Sequence, residues 1–217
     1  MNAIDFIQKI LDDVGESGGL GFWTESDVIS AINYIQNEIV SETENILVTS
    51  SAIPITQDTA EVAVSPYMLR IVSAYRVYGS STLPIEVMTE QQVSEEDINW
   101  FTTKGATLKA IITDVAQIGS VRVYPIQNNA LNSLIVRYVK LPTPIEINDI
   151  VSSFLPDRDL LILEAGTKAL LYSLEREGKD KAKGDFYLKM YADGINSIKS
   201  RVRRSRAGQF NTLVERY

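Results

Sequence analysis

The sequence contains neither cysteine nor histidine. Without cysteine the chain has no thiol nucleophile and no disulfide framework, so nothing points to secretion. Without either residue it has no zinc site of the Cys/His type, no Ser-His-Asp triad, no histidine general base and no Cys or His ligand for haem. We therefore expect a protein that is not an enzyme and that binds no cofactor or metal.

Long apolar runs are also missing. A transmembrane helix needs about 20 predominantly apolar residues, and no comparable run occurs here. No signal peptide opens the chain. The 217 residues are 45% hydrophobic and 23% charged, which is typical of a globular protein. The composition predicts a soluble, intracellular protein without membrane attachment.

The net charge of -7 is distributed unevenly along the chain. Residues 1–60 hold one base, Lys9, against ten acids, whereas residues 179–217 hold ten bases against four acids. This polarity predicts an ordered contact between the unlike ends, either within one molecule or between copies. A basic tail folded back over its own acidic helices is the simpler alternative.

Two helices are predicted at the N-terminus. An apolar stripe at helical spacing ends at Gly15, and a glycine-rich joint (residues 15–21) follows. Thr24 has the position of an N-cap, with Asp27 three residues later and Trp23 placed to pack on Val28. The two predicted stripes are Ile4, Ile7, Leu11 and Val14, then Val28, Ile32, Ile35 and Ile39.

From residue 48 to 149 the apolar period changes to two, which predicts five to seven short strands. The clearest strand covers residues 69–78, and further strands are expected near 108–115, 120–124 and 134–139. Thr89 and Gln92 have the capping-box spacing of a short helix leading toward Trp100. We expect a small antiparallel β-domain in this region.

Helices return after Pro156. Asp157 or Asp159 is placed to cap a long helix that ends at Gly178. Its two apolar stripes predict burial on two sides: Leu160, Leu163, Leu170, Leu171 and Leu174, and Leu161, Ala165, Ala169 and Tyr172. A last helix carries Tyr187, Tyr191, Gly194, Ile195, Ile198 and Val202 on one face.

These patterns predict an α+β fold with three parts. Residues 1–47 and 150–205 form a helical bundle, residues 48–149 form the inserted β-domain, and residues 206–217 form an extended C-terminal arm.

Two local patterns could be interpreted as ligand-binding sites, but neither meets the requirements of one. The glycine-rich joint has no Lys-Ser/Thr after its last glycine and no third glycine where a dinucleotide fingerprint needs one, so it is interpreted as a hinge. The run Glu95-Glu96-Asp97 could bind Mg²⁺, but neighbouring helical positions point about 100° apart and do not converge. We interpret this run as a solvated helix face.

The most distinctive local feature is the basic cluster of Arg201, Arg203, Arg204 and Arg206. Arginine forks match phosphate geometry, but the aromatic interleaving of a single-strand binder is absent. Cations near a helix C-terminus are also favoured by the helix dipole alone. We rank docking of a partner protein first, a helix-end role second and nucleic-acid binding third.

Taken together, four stretches make the chain resemble the head-to-tail adaptors of tailed bacteriophages, also called head-tail connector or tail tubular A-like proteins. The order of the elements carries the resemblance more than any one motif. The stretches are Phe22-Trp23-Thr24-Glu25-Ser26-Asp27 before Ala31-Ile32-Asn33; the strand and acidic helix from Arg76 to Trp100; Val121-Arg122-Val123-Tyr124-Pro125 with Leu134–Tyr138 and Pro142-Thr143-Pro144; and Leu155-Pro156-Asp157 with the helix through Ala169–Tyr172.

The resemblance implies a virion protein of the neck, assembled in the host cytoplasm, that forms a ring under the portal. It implies a dodecamer in the virion and a protein that can be monomeric in isolation. Such a ring extends the DNA channel, lets DNA pass without specific binding and offers a platform for tail or nozzle proteins. A nucleic-acid-binding module using the arginine cluster is the alternative. The expected portal-binding residues are the four arginines of the basic cluster and the apolar residues Phe210, Leu213, Val214 and Tyr217.

Overall fold

A computed structural model describes five stretches of the chain: residues 2–15, 22–147, 155–156, 159–174 and 180–214, without the side chains of residues 207–214. The chain divides into two compact units. One consists of residues 1–45 and 142–217, and the other of residues 46–141. The described residues form five helices: α1 (Ala3–Asp13), α2 (Glu25–Thr43), α3 (Glu90–Glu96), α4 (Leu160–Ser173) and α5 (Lys181–Val214).

The first unit contains α1, α2, α4 and α5, which share one apolar core. Each helix contributes an apolar face that is stable only when it is buried against the others. The core is made of Phe6 and Ile10 from α1, Ile32 and Ile35 from α2, Leu163 and Leu171 from α4, and Tyr191, Ile195 and Ile198 from α5, among others.

The start of α2 has the predicted capping box. The Thr24 hydroxyl accepts a hydrogen bond from the Asp27 amide at 3.2 Å, and the Asp27 carboxylate accepts one from the Thr24 amide at 3.0 Å. Trp23 and Val28 are both buried in the core, as expected for residues on either side of the cap. The predicted stripe Val28, Ile32, Ile35 and Ile39 is buried throughout.

The predicted stripes are wrong at three positions. Ile4 is 46% exposed because the apolar face of α1 is centred on Phe6 and Ile10 instead. Leu161 is 60% exposed in the first turn of α4, although the rest of its stripe is buried. Leu174 follows the end of α4 and is 38% exposed, because the helix ends at Ser173. Gly178, the predicted end of this helix, lies outside the described residues.

The second unit contains ten strands among its residues. They are β1 (Leu47–Thr49), β2 (Ile53–Pro54), β3 (Glu61–Ala63), β4 (Met68–Tyr78), β5 (Ser81–Met88), β6 (Lys104–Gly105), β7 (Ala110–Ile112), β8 (Ser120–Tyr124), β9 (Ile126–Gln127) and β10 (Asn132–Lys140).

Eight of these strands form a curled sheet in the order β1-β10-β4-β5-β7-β8-β3, with β2 also paired to β10. The strands β6 and β9 form a separate pair. A core that includes Ile71, Leu108, Ile111, Val123, Leu134 and Val136 lies against the curled sheet. The long strand β4 matches the predicted strand closely, and it pairs with β10 on one side and β5 on the other.

The β-domain is not wholly antiparallel, although the sequence predicted an antiparallel domain. Strand β5 runs parallel to β7, with Glu86 opposite Ala110 and Met88 opposite Ile112, and β6 runs parallel to β9. The reason is the connection through α3, because a crossover between two neighbouring strands returns the chain in the same direction. The capping box predicted for α3 is present, with Thr89 and Gln92 bonded reciprocally.

The last helix is longer than expected. The backbone of α5 remains helical to Val214, so the extended conformation predicted for residues 206–214 is wrong. Nothing in this stretch breaks a helix sharply, because Gly208 costs only about 1 kcal/mol relative to alanine and no proline follows. Residues 215–217 lie outside the described residues.

Candidate partner-binding site

Three basic residues of α5 contact acidic groups of the same unit, namely Lys199, Arg201 and Arg206. The Lys199 ammonium lies 2.6 Å from the Glu42 carboxylate, at the end of α2. Arg201 donates to Asp159 at 2.6 Å, immediately before α4. These contacts show that part of the basic tail is folded back on acidic groups of its own chain, as in the simpler alternative for the charge polarity.

The third contact is made by Arg206 and closes the C-terminal end of α2. Glu44 follows the helix in the left-handed region, with φ 50°. The Arg206 guanidinium donates to the Glu44 carboxylate and to the Glu44 backbone carbonyl, each at 3.1 Å. A cation near a helix C-terminus is favoured by the helix dipole. Arg206 therefore stabilises the end of α2.

Asp159, one of the two residues predicted to cap α4, also contacts the predicted basic cluster. It is the N-cap residue of α4, but its side chain makes no capping hydrogen bond. Its carboxylate is 9% exposed and accepts instead from Arg201, whose side chain is 32% exposed. The predicted cap and the predicted basic cluster therefore meet in one ion pair.

Arg203 and Arg204 differ from the other two arginines. Both are exposed, and neither forms an ion pair with any described residue. The backbone of Phe210, Leu213 and Val214 lies in the last turns of α5, and Tyr217 lies outside the described residues. The structure thus separates the cluster into two arginines that stabilise the unit and two whose charges are available to another molecule.

One residue of the acidic run Glu95-Glu96-Asp97 has a structural role. Asp97 follows α3, and its carboxylate accepts hydrogen bonds from the Thr103 hydroxyl at 2.6 Å, the Asn99 amide at 2.9 Å and the Tyr124 hydroxyl at 3.1 Å. The hydrogen bond from Thr103, followed by that from the Asn99 amide, lowers the pKa of Asp97 below its ordinary value. Asp97 therefore holds a turn together and is not part of a solvated face, whereas Glu95 and Glu96 are exposed.

A buried arginine lies beside this turn. Arg122 is 7% exposed and donates to the Phe101 carbonyl at 2.7 Å, while its guanidinium lies 3.9 Å from the centre of the Phe101 ring. Burial lowers the pKa of Arg122. These contacts assign Arg122 to the packing of the loop after α3, and its charge is already satisfied within the unit.

Chemical sites of other kinds are absent from the described part of the chain. No group of three or more acidic side chains there is placed to hold a metal ion. No helix formed by those residues has the length and apolar character needed to cross a membrane. Of the glycine-rich joint only Gly15 is described, and it has a φ of 89°, which favours glycine.

The fold and these surfaces define a mixed α+β protein with a long terminal helix, part of whose basic charge is engaged within the unit and part exposed. The model of one protein family, described as SU10 adaptor protein, matches residues 1–214. The chain therefore belongs to this family of phage head-tail adaptors, and the resemblance found in the sequence is confirmed. No curated protein sequence matches the chain significantly.

Proposed function

We propose that the protein is a structural connector between the head and tail of a tailed phage. In this role it forms a ring beneath the portal, lengthens the DNA channel and provides the platform on which the tail or nozzle proteins assemble. The observation that carries the proposal is the family match over residues 1–214, which covers all of α5 and, apart from residues 215–217, both units.

The charge of the chain is compatible with a DNA conduit. A net charge of -7 repels phosphates on average, which favours passage of DNA over its retention. Two of the four arginines that would serve a nucleic-acid-binding module are engaged by Asp159 and Glu44. The remaining pair, Arg203 and Arg204, is too small a cluster to produce strong, salt-dependent binding.

The portal is the proposed partner of the end of α5. Arg203 and Arg204 are exposed and precede Phe210, Leu213 and Val214 in the same helix. A few apolar anchors give most of the energy of a protein interface, while nearby charges steer the encounter. We assign the steering role to the two exposed arginines and the anchoring role to the apolar residues that follow them, including Tyr217.

The test is binding to isolated portal rings, observed by negative-stain microscopy and quantified by co-sedimentation. The full chain is expected to form a ring on the portal. Deletion of residues 207–217 is expected to abolish binding while leaving the thermal midpoint unchanged. A truncated protein that loses several degrees of stability and still binds the portal would show that this segment belongs to the fold of the unit instead.

Two double variants of the arginines, one of the exposed pair and one of the paired residues, provide a matched comparison. Changing Arg203 and Arg204 to glutamate is expected to weaken portal binding without lowering the stability. Changing Arg201 and Arg206 to alanine is expected to lower the stability, because these side chains are held by Asp159 and Glu44. DNA affinity that falls steeply with salt concentration, and that the Arg203/Arg204 variant loses, would contradict the connector assignment.

A further inference from the structure

A groove on the helical unit lies between α2, α4 and the first half of α5. Its volume is about 490 Å³. Two large apolar side chains on its rim are strongly exposed, Tyr34 at 60% and Leu188 at 55%. Gly166 and Gly184 are among its lining residues, so no side chain fills the groove at these two positions. Exposed apolar surface of this kind around a concavity is typical of an interaction site.

A buried polar atom inside the groove lacks a well-formed hydrogen bond. Tyr191 is 6% exposed and lines the groove, and its hydroxyl makes no hydrogen bond of good geometry to any described residue, although the Glu38 carboxylate lies near enough to interact with it. Burial, followed by the charge of Glu38 and its weak hydrogen-bonding interaction with the phenol, raises the pKa of Tyr191 well above its ordinary value, so the phenol is a neutral donor. A buried hydroxyl is stabilised when a partner group reaches it, which is a second indication that the groove receives another molecule.

The rim carries more negative than positive charge. Glu38 and Asp185 are acidic, and Lys181 is the one cation among the groove's lining residues. A segment that combines apolar side chains with a lysine or arginine would therefore complement both the surface and the charge of the groove.

Such a segment lies on another side of the same helix. Phe186 and Met190 are 61% and 46% exposed, and their spacing of four residues places them one above the other along α5. Lys189 is exposed beside them. We call Phe186, Lys189 and Met190 the α5 strip. It combines exposed apolar side chains with a cation, and so complements the apolar rim and the excess negative charge of the groove.

We propose that the groove between α2, α4 and α5 binds the α5 strip of a second copy of this chain. Because the groove and the strip are different surfaces of one molecule, the contact is head-to-tail, and repetition of a head-to-tail contact produces a ring when its rotation closes. The inference rests on the proposed function and deepens it by naming the surfaces through which neighbouring copies meet.

The absence of cysteine from the chain permits a direct test. Two single variants are prepared, Tyr34→Cys in the groove and Met190→Cys in the strip, both at exposed positions whose replacement leaves the core intact. They are mixed and treated with a mild oxidant, once as concentrated free protein and once on portal rings. A third variant, Asp5→Cys on the exposed side of α1, replaces either partner as the control.

A disulfide-linked dimer is expected from the mixture of Tyr34→Cys and Met190→Cys in at least one of the two conditions. Its yield should exceed that of either control mixture at least about tenfold, because a docked pair has an effective concentration in the millimolar range. Each variant oxidised alone should give little dimer, since the proposed contact joins unlike surfaces.

Three results would overturn the inference. One is the absence of the mixed dimer in both conditions, and another is a dominant dimer of either variant with itself. The third is protection of the Tyr34→Cys thiol by portal without any mixed dimer, which would assign the groove to the portal. Portal binding is recorded separately by co-sedimentation, so failure of the connector function and failure of this copy-to-copy contact give different patterns.

Discussion

Lys168 is a buried charge that joins two helices of the helical unit. Its side chain is 4% exposed, and its ammonium lies 2.5 Å from the Asp13 carboxylate and 2.6 Å from the Glu164 carboxylate. Burial by itself lowers the pKa of Lys168, but the hydrogen bonds to Asp13 and Glu164 outweigh it and raise the pKa above its ordinary value. The group therefore remains charged and links α4 to the end of α1.

Replacing Lys168 by methionine is expected to lower the free energy of unfolding of this unit. Removing one partner of a buried ion pair costs about 3–5 kcal/mol, because the other charge is left without compensation. Here Glu164 keeps a second contact, to Lys9 at 2.6 Å, and Asp13 is 42% exposed and regains water. We therefore expect the lower end of that range, about 3 kcal/mol, or a fall in the midpoint of roughly 6–12 °C for a chain of this size.

The pH window of this stabilisation follows from the raised pKa. A lysine whose folded pKa exceeds its unfolded value contributes fully below the unfolded pKa, about 10.4, and loses its contribution as the pH rises through the folded pKa. Measurements at pH 7 therefore record the full effect. Above neutral pH, the difference between wild type and Lys168→Met should diminish only in strongly alkaline solution.

The two tryptophans make the assay selective. Trp23 is buried in the helical unit and Trp100 in the other unit, so a Trp100→Phe background leaves tryptophan fluorescence from the helical unit alone during urea unfolding. Lys183→Met is the matched control, because its pair with Asp180 is exposed and 3.7 Å long, and its loss should change the stability by less than about 1 kcal/mol.

Two outcomes would refute this reasoning. A loss below about 1 kcal/mol for Lys168→Met would show that the pair behaves like a surface pair. Equal instability of Lys168→Met and of the double variant Glu164→Leu/Lys168→Met would show that the effect is not an uncompensated charge, since an apolar replacement of both partners is often neutral.

Three further predictions concern single contacts, each read by chemical unfolding of purified variants. Arg206→Ala should cost about 0.5–2 kcal/mol in the helical unit by removing the cation at the end of α2, and an unchanged midpoint would show that its bonds to Glu44 are dispensable. Gly166→Ala should lower the free energy of unfolding by about 1–3 kcal/mol, because its new Cβ would lie 2.7 Å from the Ile35 Cγ2 atom. Gly184→Ala is the control and should be neutral or stabilising, because its Cβ would lie 3.4 Å from the nearest atom. Equal effects of the two substitutions would contradict the packing argument. The lowered pKa of Asp97 means that this carboxylate stabilises the β-containing unit above its unfolded pKa of about 3.9, and that the stabilisation is lost as the pH falls through its folded pKa. Asp97→Asn should therefore make the stability of this unit depend less on pH in acid. An unaltered acid profile would refute the assigned role of Asp97.

Much of the local structure was predictable because its signals lie within a few residues of the chain. The capping boxes at Thr24 and Thr89 need only a hydroxyl and an acceptor three residues later, and both are present. The stripe from Val28 to Ile39 and the long strand β4 follow from apolar periods of 3.6 and two. The helical to strand change near residue 48 was visible for the same reason.

Strand β5 escaped prediction because it has no such signal. Seven of its eight residues are at least partly exposed, and Pro84 lies in its middle. It is a strand because β4 and β7 pair with its two halves, which no local pattern records. The parallel pairing with β7 likewise depends on the path of the chain through α3, and not on the residues of either strand.

The candidate site shows the same division. The positions of the charged residues can be taken from the sequence, as can the opposite signs of the two ends of the chain and the attraction between them. The folded chain is needed to see that Arg201 meets Asp159 and Arg206 meets Glu44, leaving Arg203 and Arg204 exposed. Ion pairs act over a few ångströms, and residues 42 and 162 positions apart reach that distance only after the helices have packed.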